Sequence, residues 1–337
     1  GEVETVAAGF GVAAAVKFDS QGRLHVLDAL RGEVVRVDLD SGDQEVVGTL
    51  QPGLDNLAFG PGDRLFVSSY ADGSVVEVLS PTENRTVIEG GLSMPGGVGL
   101  HQGRLYVADL FALRGLDPLT GETQHVVVDA IGFTSQGSVM SVHSRGENRL
   151  LTSWFDNAVR IWDPSTESLV MAFEALVPID AIGFEGDVVA TEYGTGEVVR
   201  FSTSDPESRT TLASGIDGPA GLAAQGGDLY VSENHAGRIL KLSPDGTTEV
   251  LAENLAGPEG LAIANGLLYV VEAGAGRLTS IDLEAGTTML VAEGLETHVP
   301  PTGTFPGTML FNGVAVSGDR AYVSGDKINA IYTVGLN

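Results

Sequence analysis

Hydrophobic and polar residues alternate in short runs along nearly the whole chain. A clear stretch reads Gly260-Leu-Ala-Ile-Ala264, a turn at Asn265-Gly266, Leu267-Leu-Tyr-Val-Val-Glu272, a loop through Gly276, Arg277-Leu-Thr-Ser-Ile281, a turn at Glu284-Ala-Gly286, then Thr287-Thr-Met-Leu-Val291. Alternation with period two, bounded by Gly, Asn and Asp, predicts four short β-strands and no helix. The phrase recurs eight times, with its first strand anchored at Val16, Leu57, Val98, Met140, Ile182, Leu222, Leu261 and Val314, at steps of 41, 41, 42, 42, 40, 39 and 53 residues. The second strand is equally recognisable as Leu24-His-Val-Leu-Asp28, Leu105-Tyr-Val-Ala-Asp109 and Leu229-Tyr-Val-Ser-Glu233.

A period near forty, each unit holding four strands, predicts an all-β fold: a single closed β-propeller of eight four-stranded blades, with residues 1–337 as one domain. The last unit ends at Tyr332-Thr-Val334 without a fourth strand, whereas Glu2-Val-Glu-Thr-Val-Ala7 resembles the fourth strands of other units. The N-terminal strand is therefore expected to complete the last blade and remove its open edge. The long step of 53 comes from an insertion at about 296–310, rich in Pro, Gly and Thr, of the kind that covers or lines a site.

Aligning the units sorts the candidate chemistry. Loops entering the inner strands converge on the axis, and the residues two before each anchor are Ala14, Asp55, Gly96, Ser138, Asp180, Ala220, Glu259 and Asn312. Asp55, Asp180, Glu259 and Asn312 stand out among small residues. Carboxylates gathered at an axis need a cation or donors to offset repulsion and desolvation. Oxygen ligands suit Ca²⁺ or another divalent cation; the alternative is that these side chains bond neighbouring backbone amides. A second ring, at the ends of the second strands, places Asp109, Glu192, Glu233 and Glu272 with Tyr70, Trp154, Phe155 and Tyr193 in a funnel suited to a small organic substrate. Blade-turn acids that satisfy backbone donors are the competing reading there. Of six histidines, His25 falls in a slot held elsewhere by Phe or Tyr, His101 and His143 fall at the opposite face, and His125 falls in an outer strand. His235 and His298 are left on the funnel face as candidate acids or bases.

Composition narrows the partners. With 45 acidic against 18 basic residues, the formal net charge is -27, which repels nucleic acid and anionic membranes. Cysteine is absent, so disulfides and thiolate metal sites are excluded. A monomer acting on a small molecule is expected. The Gly-Glu start without Met suggests a removed leader, hence a secreted or periplasmic protein.

Gly257-Pro-Glu-Gly-Leu-Ala262, Gly218-Pro-Ala-Gly-Leu222 and Leu229-Tyr-Val-Ser-Glu-Asn-His-Ala-Gly-Arg-Ile239 resemble phrases of the NHL-repeat and senescence marker protein 30/gluconolactonase/strictosidine synthase-like propellers. That resemblance implies a metal-dependent hydrolase that opens a lactone or ester. Glu259, Asn312 and Asp180 would be ligands, and Asp55 a ligand or the base that activates water. Those enzymes have six blades, against eight units counted here. The streptogramin B lyase-like propellers are a second template and imply eliminative ring opening by a His, here His235 or His298. A non-catalytic propeller that binds a ligand or protein is the third reading.

Overall fold

The computed structural model describes residues 5–109, 112–128, 139–146, 148–153, 157–166, 168–297 and 311–336. Two compact units divide the chain, Gly1–Ser93 and Met94–Asn337. The first holds two four-stranded antiparallel sheets: β1 (Ala13–Phe18), β2 (Leu24–Asp28), β3 (Glu33–Val37) and β4 (Gln44–Thr49), then β5 (Leu54–Phe59), β6 (Leu65–Ser69), β7 (Val75–Ser80) and β8 (Glu83–Ile88).

The second unit continues the repeat. Its sheets comprise β9 (Pro95–His101), β10 (Arg104–Asp109), β11 (Ala112–Leu116) and β12 (Thr123–Val128); β13 (Val139–Arg145), β14 (Asn148–Ser153), β15 (Ala158–Asp163) and β16 (Ser168–Glu174); and β17 (Pro178–Phe184), β18 (Asp187–Glu192), β19 (Glu197–Phe201) and β20 (Arg209–Ala213). Then come β21 (Pro219–Gln225), β22 (Asp228–Glu233), β23 (Arg238–Leu242) and β24 (Thr248–Ala252); β25 (Pro258–Ala264), β26 (Leu267–Glu272), β27 (Arg277–Asp282) and β28 (Thr288–Glu293); and a three-stranded sheet of β29 (Val314–Ser317), β30 (Arg320–Gly325) and β31 (Ala330–Gly335). Among the described residues no helix is long and apolar enough to cross a membrane.

Local chemistry explains the hairpins. Asn265 and Gly266 both have positive φ, 51° and 77°, as a two-residue type I′ turn requires. The alternation then buries one side of each strand against the neighbouring sheet. Val188, Ala190 and Val199 pack on Val159 and Ile161 of the preceding sheet, and Leu222, Val231 and Leu240 pack on Val189 and Val198 in the same way. The core is therefore a series of layers between sheets.

In the second unit the inner strands touch in the order β9, β13, β17, β21, β25, β29, and β29 returns to β9. Glycine makes the last approach possible. A Cβ on Gly313 would lie 2.6 Å from the Val98 amide nitrogen and 2.7 Å from the Gly97 Cα. The expected closed ring of eight sheets is not shown; within this unit the last sheet lies beside the third. The strand of residues 2–7 expected to complete the last blade lies in part outside the described residues. The last sheet has three strands among the described residues, and residues 5–10 form no strand; Ala7 and Phe10 pack on their own first sheet, where Gln44 Nε2 donates to the Ala8 carbonyl. In the first unit β1 packs beside β5, and no further inner strand of that unit flanks the pair. Val16 and Phe18 are consequently 57% and 58% exposed, against 0% for the equivalent anchor Leu222. The insertion, apart from its first two residues, lies outside the described residues.

One buried device recurs in both units. A carboxylate ending the second strand accepts the backbone N–H of the segment that leads into its sheet's inner strand. Asp28 takes Gly11 and Val12 at 2.7 and 3.0 Å, Asp109 takes Met94 at 2.6 Å and Glu192 takes Leu176 at 3.2 Å. Glu233 takes Asp217 at 2.9 Å and Glu272 takes Ala256 at 2.8 Å. An arginine completes each pairing: Arg31, Arg114, Arg209, Arg238 and Arg277. Burial of the charge is thereby compensated on both sides.

Two outcomes check this architecture. Gly313→Ala is expected to lower stability by about 1–3 kcal/mol through overpacking at Val98, and an unchanged denaturation midpoint would refute the β29 to β9 contact. Glu272→Ala leaves the Ala256 N–H and the Arg277 guanidinium without their acceptor and is expected to cost about 2 kcal/mol, given that Arg277 remains partly hydrated. A loss below 0.5 kcal/mol in urea unfolding, on the order of a surface pair, would show the device to be dispensable.

Candidate functional site

The inner strands of the second unit line a cavity whose walls include Met140, Ile179, Leu261 and Phe311 as apolar surface and Ser141, His143, Asp180 and Asn312 as polar groups. Space for the centre of a water-sized sphere is about 20 Å³, enough for one water or one small polar group rather than a whole organic ligand. A roomier cleft in the first unit, about 340 Å³, is lined by residues such as Ser69, Asn84, Thr86 and Glu89 and holds no imidazole. The axial cavity is therefore the better chemical candidate.

Irregular pairing aims its polar groups. The register between β17 and β18 shifts between Pro178 and Ala181, and that between β25 and β26 shifts between Pro258 and Leu261. Asp180 and Glu259 lie inside those shifts, where a bulge redirects a side chain. Hydroxyls hold the distorted backbone: Thr191 Oγ1 accepts the Asp180 N–H at 3.1 Å and donates to the Ala220 carbonyl at 2.6 Å. Ser232 Oγ likewise accepts the Gly221 N–H at 2.6 Å and donates to the Glu259 carbonyl at 2.7 Å.

His143, in β13, places Nε2 2.7 Å from Asp180 Oδ1. Asp180 is further held by the N–H groups of Ala181 and Leu222, each at 2.9 Å, and by Ser141. Burial by itself would lower the imidazole pKa, but the charge and hydrogen bond of Asp180 outweigh it, and the net shift is upward. Burial would raise the Asp180 pKa, yet His143, the Leu222 N–H and Ser141 together lower it. The pair therefore favours imidazolium beside carboxylate. A carboxylate only accepts, so Nε2 carries a hydrogen and Nδ1 is the nitrogen left for other chemistry.

Glu259 lies fully buried behind the lining. Its Oε2 accepts the backbone N–H and Nδ2 of Asn312 at 2.6 and 2.9 Å, while Oε1 has no hydrogen-bond partner. Burial, opposed by the Asn312 donors and reinforced by the charge of Asp326, pushes its pKa up to about 8. Asn312 Oδ1 in turn accepts the Asp326 N–H at 3.3 Å.

These contacts do not fit the Ca²⁺ site that the resemblance implies. Both Asp180 oxygens and the Asn312 oxygen are engaged by protein donors, and Asp55 is an exposed residue of the first unit. Among the described residues no group of three His, Asp or Glu side chains is arranged for a metal. Of the candidate ligands at the cavity, Glu259 Oε1 is the oxygen without a protein donor. The funnel acids Asp109, Glu192, Glu233 and Glu272 are the buried anchors of the loops, at most 2% exposed, and Tyr70 belongs to the first unit. Trp154, Phe155 and His298 lie outside the described residues. Tyr193 and His235 do come together, with Oη and Nε2 2.6 Å apart. His143 was the residue that the repeat alignment misplaced. Its available signal was the polar pair Ser141 and His143 at alternate positions, on one face of an inner strand.

No protein-family model matches the chain, and no curated protein matches it significantly. Among solved structures, a nidogen/laminin complex aligns with TM-score 0.51 and 14% identity, over 79% of this chain and 91% of the other. The extracellular domain of the putative one component system BT4673 from B. thetaiotaomicron aligns with TM-score 0.50 and 10% identity, over 96% of this chain and 53% of the other. A streptogramin B lyase aligns with TM-score 0.47 and 12% identity, over 82% and 93%. Such identities speak to the fold alone, and the first two place this chain among all-β proteins of the propeller type.

The raised pKa of Glu259 carries a pH signature. The folded protein holds a proton that the unfolded chain releases near 4.5, so this contribution to stability is full below that pH and fades as pH rises towards 8. Glu259→Gln keeps the acceptor for Asn312 and removes the titration. It is expected to gain on the order of 3 kcal/mol relative to the parent between about pH 5 and pH 8. Parallel stability curves for the two proteins would contradict a buried neutral carboxyl.

Proposed function

We propose that residues 94–337 carry an acid–base enzyme site of the lyase or isomerase type for a small polar organic molecule. The carrying observation is the 2.7 Å contact of His143 with Asp180 on the wall of the axial cavity. Asp180 orients the ring and favours its protonated form, so His143 acts as proton donor to an oxygen of the substrate. The small free volume admits one such group, such as a carbonyl or departing oxygen, while the body of the substrate rests at the mouth beside Phe311 and Ile179. Apolar walls strengthen the charge on the donor by excluding water.

A metal-dependent hydrolase of a lactone or ester is the second reading, favoured by the unpartnered Oε1 of Glu259. It requires Asp180 and Asn312 to exchange their present donors for the cation. Calorimetry separates the two: Ca²⁺ binding that Glu259→Gln abolishes would move the assignment to the hydrolase.

The direct test uses 2-oxo acids, hydroxy ketones and small lactones with the full chain in D₂O, followed by proton NMR. Loss of α-proton signal or formation of an alkene is expected for at least one of them, falling roughly 100-fold in His143→Gln. Inertness towards the whole panel, or equal rates in the variant, would sink the proposal.

A further inference from the structure

Packed behind two lining residues of the cavity, Tyr193 begins a chain of three groups with His235 and Asp217. Tyr193 Oη lies 2.6 Å from His235 Nε2, and His235 Nδ1 lies 2.9 Å from Asp217 Oδ1. The inner end is buried and the outer end is wet: Tyr193 is 8% exposed, while the Asp217 side chain is 67% exposed. Tyr193 packs on Ile179 and Phe311, two residues that also line the cavity holding His143. The arrangement is built rather than incidental. The anchor Glu233 accepts the Asp217 N–H, the His235 N–H bonds the Asp217 carbonyl at 3.2 Å, and Gly218 leaves room for both rings, since a Cβ there would sit 3.2 Å from His235 Cγ and 3.3 Å from Tyr193 Cε2.

The carboxylate of Asp217 can only accept, so Nδ1 bears the hydrogen; in the tautomer that leaves Nε2 bare, Nε2 accepts from the Tyr193 hydroxyl. We infer that Tyr193 is a catalytic residue, taking the proton of a substrate C–H bond beside a carbonyl while its own proton passes to His235, with Asp217 as the positioning residue. The inference rests on the acid–base reading of the cavity. The C–H electron pair enters the conjugated system of the carbonyl, Tyr193 ends as a neutral phenol, and His235 ends as imidazolium against Asp217. In an elimination, the bond to the leaving oxygen breaks and His143 gives that oxygen its proton; in an isomerisation, the proton returns to the neighbouring carbon. Burial pushes the Tyr193 pKa up to about 12, with Asp217 and Glu259 adding to it, so a relay avoids forming free phenolate. The substrate class is thus a small carbonyl compound with an acidic α-hydrogen.

The test pairs a substrate readout with one that needs none. With the D₂O panel, Tyr193→Phe is expected to lower the α-proton exchange kcat roughly 100-fold with little change in KM, and Asp217→Asn, at an exposed position, to lower it roughly tenfold. Parent-level exchange in Tyr193→Phe would overturn the relay while leaving the His143 reading intact. No exchange by the parent would sink that reading instead. The relay is then decided by nitrogen-15 NMR of His235, where hydrogen on Nδ1 and an accepting Nε2 are expected. Hydrogen on Nε2 in the neutral ring would refute it.

Discussion

The rest of this protein depends on a buried carboxylate bonded to a backbone amide. Asp28, Asp109, Glu192, Glu233 and Glu272 each end a second strand and hold the segment entering the inner strand of the same sheet. A carboxyl at almost zero exposure needs donors on both oxygens: the paired arginine reaches the second oxygen of Asp109, Glu192, Glu233 and Glu272, and backbone N–H groups reach both oxygens of Asp28. The bond fixes where each inner strand begins. Everything at the axis follows from that height.

Inner strands fixed in this way meet backbone to backbone. Gly313 against Val98 and Gly221 against the Glu259 carbonyl leave no room for a Cβ. Such close approach also brings Asp180 to Leu222 and Glu259 to Asn312, so that the axial acids fasten one sheet to the next. The same two residues end up differently charged. Asp180 has four donors and favours the carboxylate, whereas Glu259 has one satisfied oxygen and favours the acid.

Much of the site was legible in the repeat. Aligning eight copies singled out Asp55, Asp180, Glu259 and Asn312 because they interrupt a column of small residues, and the last three do meet around the axial cavity; it also set His25, which packs against Phe59, apart from the funnel candidates His235 and His298. Their roles were not legible, since a metal site and an amide clamp need the same oxygens at the same positions. His143 was hidden by parity: a seven-residue inner strand with a shifted register carries it past the place a simple count assigns. The funnel acids show the converse, for their periodicity came from holding the backbone.

By itself the sequence determined the strands, their turns, their grouping by fours and the absence of thiol chemistry, because alternation, positive-φ glycines and composition are local properties. Which sheet lies beside which was decided only in three dimensions. Every repeat offers its neighbours nearly the same apolar flank, and contacts at the width of a glycine select which flanks meet. Protonation was likewise settled there, because the difference between Asp180 and Glu259 rests on partners that other sheets supply, His143 and Leu222 for the one and Asn312 for the other.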